Sequence, residues 1–149
     1  MELGCIFSYI NKLGTISNKF ITKRIKEEGL PILQNHALLF FYTSEDKSPL
    51  LFSEIVDRGK ISKSSLSDII NKYENLGLVN KSISNEDKRN LYINLTDDGI
   101  NVKSKLEDIK YEALAIMLDG FDENQKEAFK ECVSKALINM KKSAVRHFF

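Results

Sequence analysis

Between residues 62 and 95 the spacing of apolar side chains switches from the period of a helix to that of a strand, and a glycine stands at the switch. Leu66, Ile69, Ile70, Tyr73 and Leu76 recur every three or four residues, so they form one stripe of a helix that Ser62 can cap. Gly77 suits the left-handed conformation that closes such a helix. Beyond it residues 78–84 and 91–95 read as two strands, the second alternating Leu91, Ile93 and Leu95 with Tyr92 and Asn94. The six residues between them, from Asn85 to Asn90, are polar and turn-prone. A chain in this order sets a helix beside a β-hairpin with a charged tip.

The rest reads as helix. From about Leu3 to Glu28, Ile6, Ile10, Leu13, Ile16, Phe20 and Ile25 lie roughly one turn apart, with lysines on the other side. Gly29 is a fitting terminator, and Pro31 suits the first turn of a second helix reaching Thr43. That second helix is apolar all round from Ala37 to Tyr42, which predicts burial. A charged loop with Pro49 leads to a short helix capped by Ser53 and ended by Gly59, with Glu54 in its first turn. Thr96 caps a long helix opening on Asp97 and Asp98, with Ile100, Leu106, Ile109, Ala113 and Met117 inward. After a break at Gly120, Asp122 and Gln125 have the spacing of a capping box for a last helix carrying Phe129, Cys132, Val133, Ala136, Leu137 and Met140.

The fold class expected is therefore mainly α with a small β-hairpin wing (α+β). The chain's 149 residues can build a core without disulfides, and Cys5 and Cys132 cannot make a disulfide framework. No basic, apolar and small-residue succession resembles a secretion signal, and the longest apolar run, Ala37 to Tyr42, is too short for a membrane span. A cytoplasmic protein without membrane contact is expected. His36 and His147 are far apart in sequence and lack metal-ligand spacing. No phosphate-binding glycine loop, nucleophile elbow or nucleophile, base and orienter set is present, so neither an enzyme nor a cofactor is expected.

With 22 basic and 21 acidic residues the chain has no global field for a polyanion, and a nucleic-acid surface must be a local patch. From Arg58 to Arg89 seven basic residues face four acidic ones, a surplus that charge alone leaves undecided. Pattern adds what charge does not. A short helix, a turn, a second helix with a polar outer face and a basic-tipped hairpin make a helix-turn-helix followed by a wing. A helix about 10–12 Å across fits the major groove of B-form DNA. Candidate DNA-binding residues are Ser62, Ser64 and Ser65 toward phosphate, Ser53 and Ser67 beside them, and Lys63, Asn71 and Lys72, which are long enough to read base edges. On the wing, Arg89 can enter the minor groove, Asp87 can hold its guanidinium, and Lys88 can lie along phosphate.

Ser53-Glu54-Ile55, the helix from Ser62 to Leu76, Gly77-Leu78-Val79, Asp87-Lys88-Arg89 and Leu95-Thr96-Asp97-Asp98-Gly99 resemble, in order and spacing, the signature of MarR-type transcriptional regulators. The resemblance extends over nearly the whole chain. It implies a winged helix-turn-helix with long N- and C-terminal dimerisation helices: residues 1–30 and 97–149 for dimerisation, 31–96 for DNA binding. It further implies a homodimeric repressor that binds double-stranded DNA at a near-palindromic operator, with a small-molecule effector. Phe148 and Phe149 add apolar surface at the end of the chain for a partner copy to cover.

Asp68 departs from the family pattern, in which arginine or another donor often stands. A carboxylate there needs a cytosine amino group or Lys72 as its partner. Two further readings follow from particular residues. Asp68 and the small net charge suit a winged-helix module that binds a protein and no DNA. Cys5, near Tyr9, suits a thiol-based oxidant sensor, because one branch of the family senses peroxides through a cysteine of the first helix assisted by tyrosine hydroxyls. Its bland counterpart is a buried small hydrophobe, the reading also given to Cys132.

Overall fold

The computed structural model describes residues 2–42, 49–59, 61–84, 86–87 and 89–147. Ten elements follow in order: α1 (Cys5–Glu27), a 3-10 turn (Gln34–His36), α2 (Ala37–Tyr42), β1 (Leu50–Leu51), α3 (Phe52–Gly59), α4 (Lys63–Asn75), β2 (Val79–Ile83), β3 (Leu91–Leu95), α5 (Asp97–Met117) and α6 (Glu123–His147). They fall into two units, Met1–Ala113 and Leu114–Phe149.

In the first unit the core draws on every layer. Phe40 of α2, Ile55 of α3, Leu66, Ile70 and Tyr73 of α4, Ile93 and Leu95 of β3 and Leu106 and Ile109 of α5 are buried together. The apolar stretch of α2 enters this core through Ala37, Leu39 and Phe40; the side chains of Leu38, Phe41 and Tyr42 lie outside the described residues. The sheet is antiparallel, in the order β1-β3-β2. Val79 faces Leu95 and Ile83 faces Leu91 across the hairpin, and Ile93 and Leu95 turn into the core as the alternation in β3 predicts.

Several expectations are corrected. Pro31 does not open a helix: it stands in a bend, Leu33 is extended and the 3-10 turn starts only at Gln34, because Ile32 turns into the core and the Leu33 amide donates to the Tyr73 hydroxyl at 3.3 Å. The hairpin gains a third strand, β1, whose Leu50 and Leu51 pair with Ile93 and Tyr92. Two residues are too few to show a period, and their partner lies some forty positions away. Helix α3 begins at Phe52, which packs on the core, so Ser53 lies inside the first turn and does not precede it; Gly59 is the last helical residue. Leu76 is half exposed at the end of α4 and leaves the apolar stripe.

The joint between hairpin and α5 explains the Leu-Thr-x-x-Gly run. Thr96 Oγ1 donates to the Gly77 carbonyl at 2.6 Å and accepts from the Gly99 amide at 3.0 Å, capping α5 and tying it to the turn after α4. Gly77 there has φ +76°, open to glycine without strain. Gly99 is buried, and a Cβ on it would overlap the Leu78 carbonyl oxygen. At the other end of the unit Arg24 of α1 reaches Glu112 of α5 through two hydrogen bonds, 2.8 and 3.2 Å long, and also holds Glu27 and Glu28.

In the second unit the capping box forms as its spacing predicts. Gln125 N donates to Asp122 Oδ1 at 2.8 Å, and Asp122 N donates to Gln125 Oε1 at 3.0 Å. No described residue of α6 is buried, and Val133, Leu137, Ile138 and Met140 are each about half exposed or more. Cys132 is likewise exposed, which corrects its reading as core. Phe148 and Phe149 lie outside the described residues.

Candidate nucleic-acid interface

Helix α4 is held by its inner face and by its first turn. Leu66, Ile70 and Tyr73 are buried. Ser62 caps the helix, its Oγ accepting from the Ser65 amide at 3.1 Å and donating to Ser65 Oγ at 2.8 Å, with Ser64 Oγ 3.4 Å away. Three of the candidate hydroxyls therefore cluster at the amino end of α4, where the helix dipole favours an anion. Successive residues turn about 100° around a helix, so Ser64, Asp68, Asn71 and Asn75 lie opposite the buried stripe, flanked by Ser67. All five are exposed, as are Lys63 and Lys72. Lys72 leans back over its neighbour, its Nζ 5.5 Å from the centre of the Tyr73 ring. Of the two partners open to the Asp68 carboxylate, Lys72 is therefore not the one the geometry gives. Ser53 is exposed on α3.

Tyr73 anchors this helix from below. Its hydroxyl accepts from the Leu33 amide and lies 2.8 Å from His36 Nδ1, to which it donates when the ring proton of a neutral His36 is on Nε2. Burial, reinforced by the nearby charge of Lys72, holds the His36 pKa below its ordinary value, and burial raises that of the Tyr73 hydroxyl. Both rings are therefore neutral near pH 7. The Tyr73 ring meets His36 and Phe40 edge to face. Beside this pair, Asn35, Ser65, Asp68 and Lys72 line part of an open groove of about 500 Å³.

At the wing tip the Asp87 carboxylate accepts from Arg89 three times: from the amide at 3.0 Å, from Nε at 3.1 Å and from a terminal guanidinium nitrogen at 3.3 Å. The fork keeps the Asp87 carboxyl below its usual pKa. Yet the Arg89 side chain is 90% exposed. Lys88 lies outside the described residues.

Two participants were missed by sequence reasoning. Ser84 Oγ accepts from the amides of Glu86 and Asp87 at 3.2 and 3.3 Å and so shapes the turn that aims Arg89. A serine entering a polar turn carries that signal. Lys81 of β2 donates to Asn71 Oδ1 at 2.7 Å and sits 3.2 Å from Glu74, joining wing to α4. That contact has no local signature. Cys5 is exposed, with its thiol 3.9 Å from Glu2 Oε2.

Residues 28–90 match the sequence model of the MarR family. No curated protein matches the chain. Among solved structures, a MarR transcriptional regulator from Methanosarcina mazei superposes with a TM-score of 0.79 at 21% identity, covering 93% of this chain and 98% of that one. A MarR family regulator from Listeria monocytogenes complexed with a 26-mer DNA gives 0.75 at 21%, covering 99% and 95%. A MarR family regulator from Streptomyces coelicolor in complex with DNA gives 0.75 at 17%, covering 91% and 86%. At these identities the likeness establishes a shared fold.

Proposed function

From a chain whose residues 28–90 are MarR-family sequence and whose fold is that of MarR-family transcriptional regulators, we propose a homodimeric repressor that binds a near-palindromic DNA operator. The observation that carries this reading is Arg89: a guanidinium held in a fork by Asp87 at a hairpin tip, yet nine-tenths exposed. Among the described residues this arginine pairs with none beyond the one that aims it. It is oriented in advance for an anionic groove. Lys63, Ser64, Ser67 and Asn71 give α4 an exposed face rich in donors, suited to phosphates and base edges in the major groove.

The dimer has its own support. Phe7, Ile10, Leu13 and Ile16 of α1 are 42 to 72% exposed, and α6 buries none of its described residues. Helices with this much uncovered apolar surface call for a second copy. In this division of labour residues 1–30 and 97–149 pair the chains, and 31–96 bind DNA. A small-molecule effector that favours one spacing of the two DNA-binding lobes then shifts the population toward or away from the operator; the groove beside α4 offers room for one.

Selection from a random pool of duplex DNA tests the proposal. Enrichment of an inverted repeat with half-site centres about 10 base pairs, or 34–36 Å, apart is the expected result. A pool without enrichment overturns it.

A further inference from the structure

Asn71 stands in the middle of the outer face of α4, about 200° around the helix from buried Tyr73. Its carboxamide oxygen accepts from Lys81 Nζ at 2.7 Å, and the same ammonium lies 3.2 Å from Glu74 Oε1. Lys81 comes from the neighbouring β2, opposite Ile93 of β3, so the lysine bridges the wing and the helix. The contact looks like a simple clasp. Its chemical consequence is larger.

A carboxamide reads adenine with both ends: the oxygen accepts from the N6 amino group while the nitrogen donates to N7. Here the oxygen is engaged by a full positive charge, and an adenine amino group approaching it would bring partly positive hydrogens against the ammonium. With one lone pair of the oxygen taken and the other beside the ammonium, the end of Asn71 that best meets a partner is its NH2, which carries two donors. Guanine complements that, because its major-groove edge offers two acceptors, N7 and O6. Asp68, three residues earlier on the same exposed face, is an acceptor only, and the cytosine N4 amino group is the major-groove donor that suits it. Both groups therefore favour G·C pairs.

We propose that Lys81 is a specificity-determining positioning residue: by engaging the Asn71 carbonyl oxygen, it makes Asn71 a donor that selects guanine over adenine in the major groove. The inference rests on the reading of α4 as the groove-facing helix of a DNA-binding protein. A clasp with a purely mechanical role would weaken binding to all sequences alike when cut, without moving the preferred base.

The test is the random-pool selection repeated on the full-length chain with Lys81→Met, which keeps the aliphatic stem, and with Asn71→Ala. The wild type is expected to prefer guanine to adenine by about tenfold at one position of each half-site. Asn71→Ala abolishes that preference and leaves the other positions unchanged. Lys81→Met moves the same position toward adenine. Thermal melts of all three proteins verify that each is folded under the selection conditions. The inference is overturned if Lys81→Met keeps the guanine preference, or if Asn71→Ala alters no position of an operator that the wild type does select. Should the wild type select nothing, the DNA-binding reading fails and takes the inference with it.

Discussion

Gly99 approaches the Leu78 carbonyl so closely that the first carbon of any side chain would occupy the space of the oxygen. This contact fixes the start of α5 against the turn after α4, and Thr96 bonds both sides of it. Gly99→Ala should therefore destabilise the protein by about 1–3 kcal/mol through overpacking against backbone that cannot give way. Thr96→Ala removes the cap, for a loss of about 1 kcal/mol. Urea unfolding of both variants checks the order. Gly99→Ala as stable as wild type would show that the joint yields.

The Tyr73 and His36 pair makes stability depend on pH. The His36 pKa is lowered in the folded chain, chiefly by burial and secondarily by Lys72. Its contribution is present in full above the ordinary histidine value near 6.5 and is lost as pH falls through the folded value, because the unfolded chain takes up the proton first. The melting temperature should fall between pH 7.5 and 5.5, and His36→Gln should flatten that slope. An unchanged slope in His36→Gln contradicts the assignment.

Tyr73→Phe leaves the Leu33 amide and His36 Nδ1 without the hydroxyl they share. The expected cost is about 1 kcal/mol, the low end of the range for losing one partner of a polar group, because both contacts are only partly buried. A chemical melt reads it directly.

How much of this was legible in the sequence depends on the range over which each signal acts. Caps and turns announce themselves locally: Ser62, Thr96 and the Asp122 with Gln125 box stand in the structure as their spacing predicts. The Asp87 and Arg89 fork was also readable, because the two partners lie two residues apart between strands. Contacts between distant segments left no such trace. Leu50 pairing with Ile93, Tyr73 holding Leu33, Arg24 holding Glu112 and Lys81 holding Asn71 are set by tertiary packing, to which a helical or strand period is blind. Pro31 misled because the pull of Ile32 into the core outweighs a local preference for a first helical turn.

On the wing, Arg89→Ala should weaken operator binding roughly tenfold. Asp87→Asn should cost less, since it loosens the aim of the guanidinium and keeps its charge. Fluorescence anisotropy with an operator duplex measures both, and equal affinity for wild type and Arg89→Ala would remove the wing from the interface.

Ile10 and Leu13 lie exposed on α1. Ile10→Glu and Leu13→Glu together should split the proposed dimer, seen as a halved mass in sedimentation, and should weaken operator binding because each half-site is then bound alone. A wild-type chain that sediments as a monomer contradicts the pairing of residues 1–30 and 97–149.

The central claim is that the exposed face of α4 and the tip of the wing meet DNA phosphates. Affinity for duplex DNA across a series of salt concentrations tests it most directly. The account predicts a straight fall of log affinity against log salt, with a slope of about −0.9 for each phosphate neutralised, and a slope shallower by about one per monomer in Lys63→Ala. A line that stays flat from low to high salt would contradict it and assign this winged helix to a protein partner.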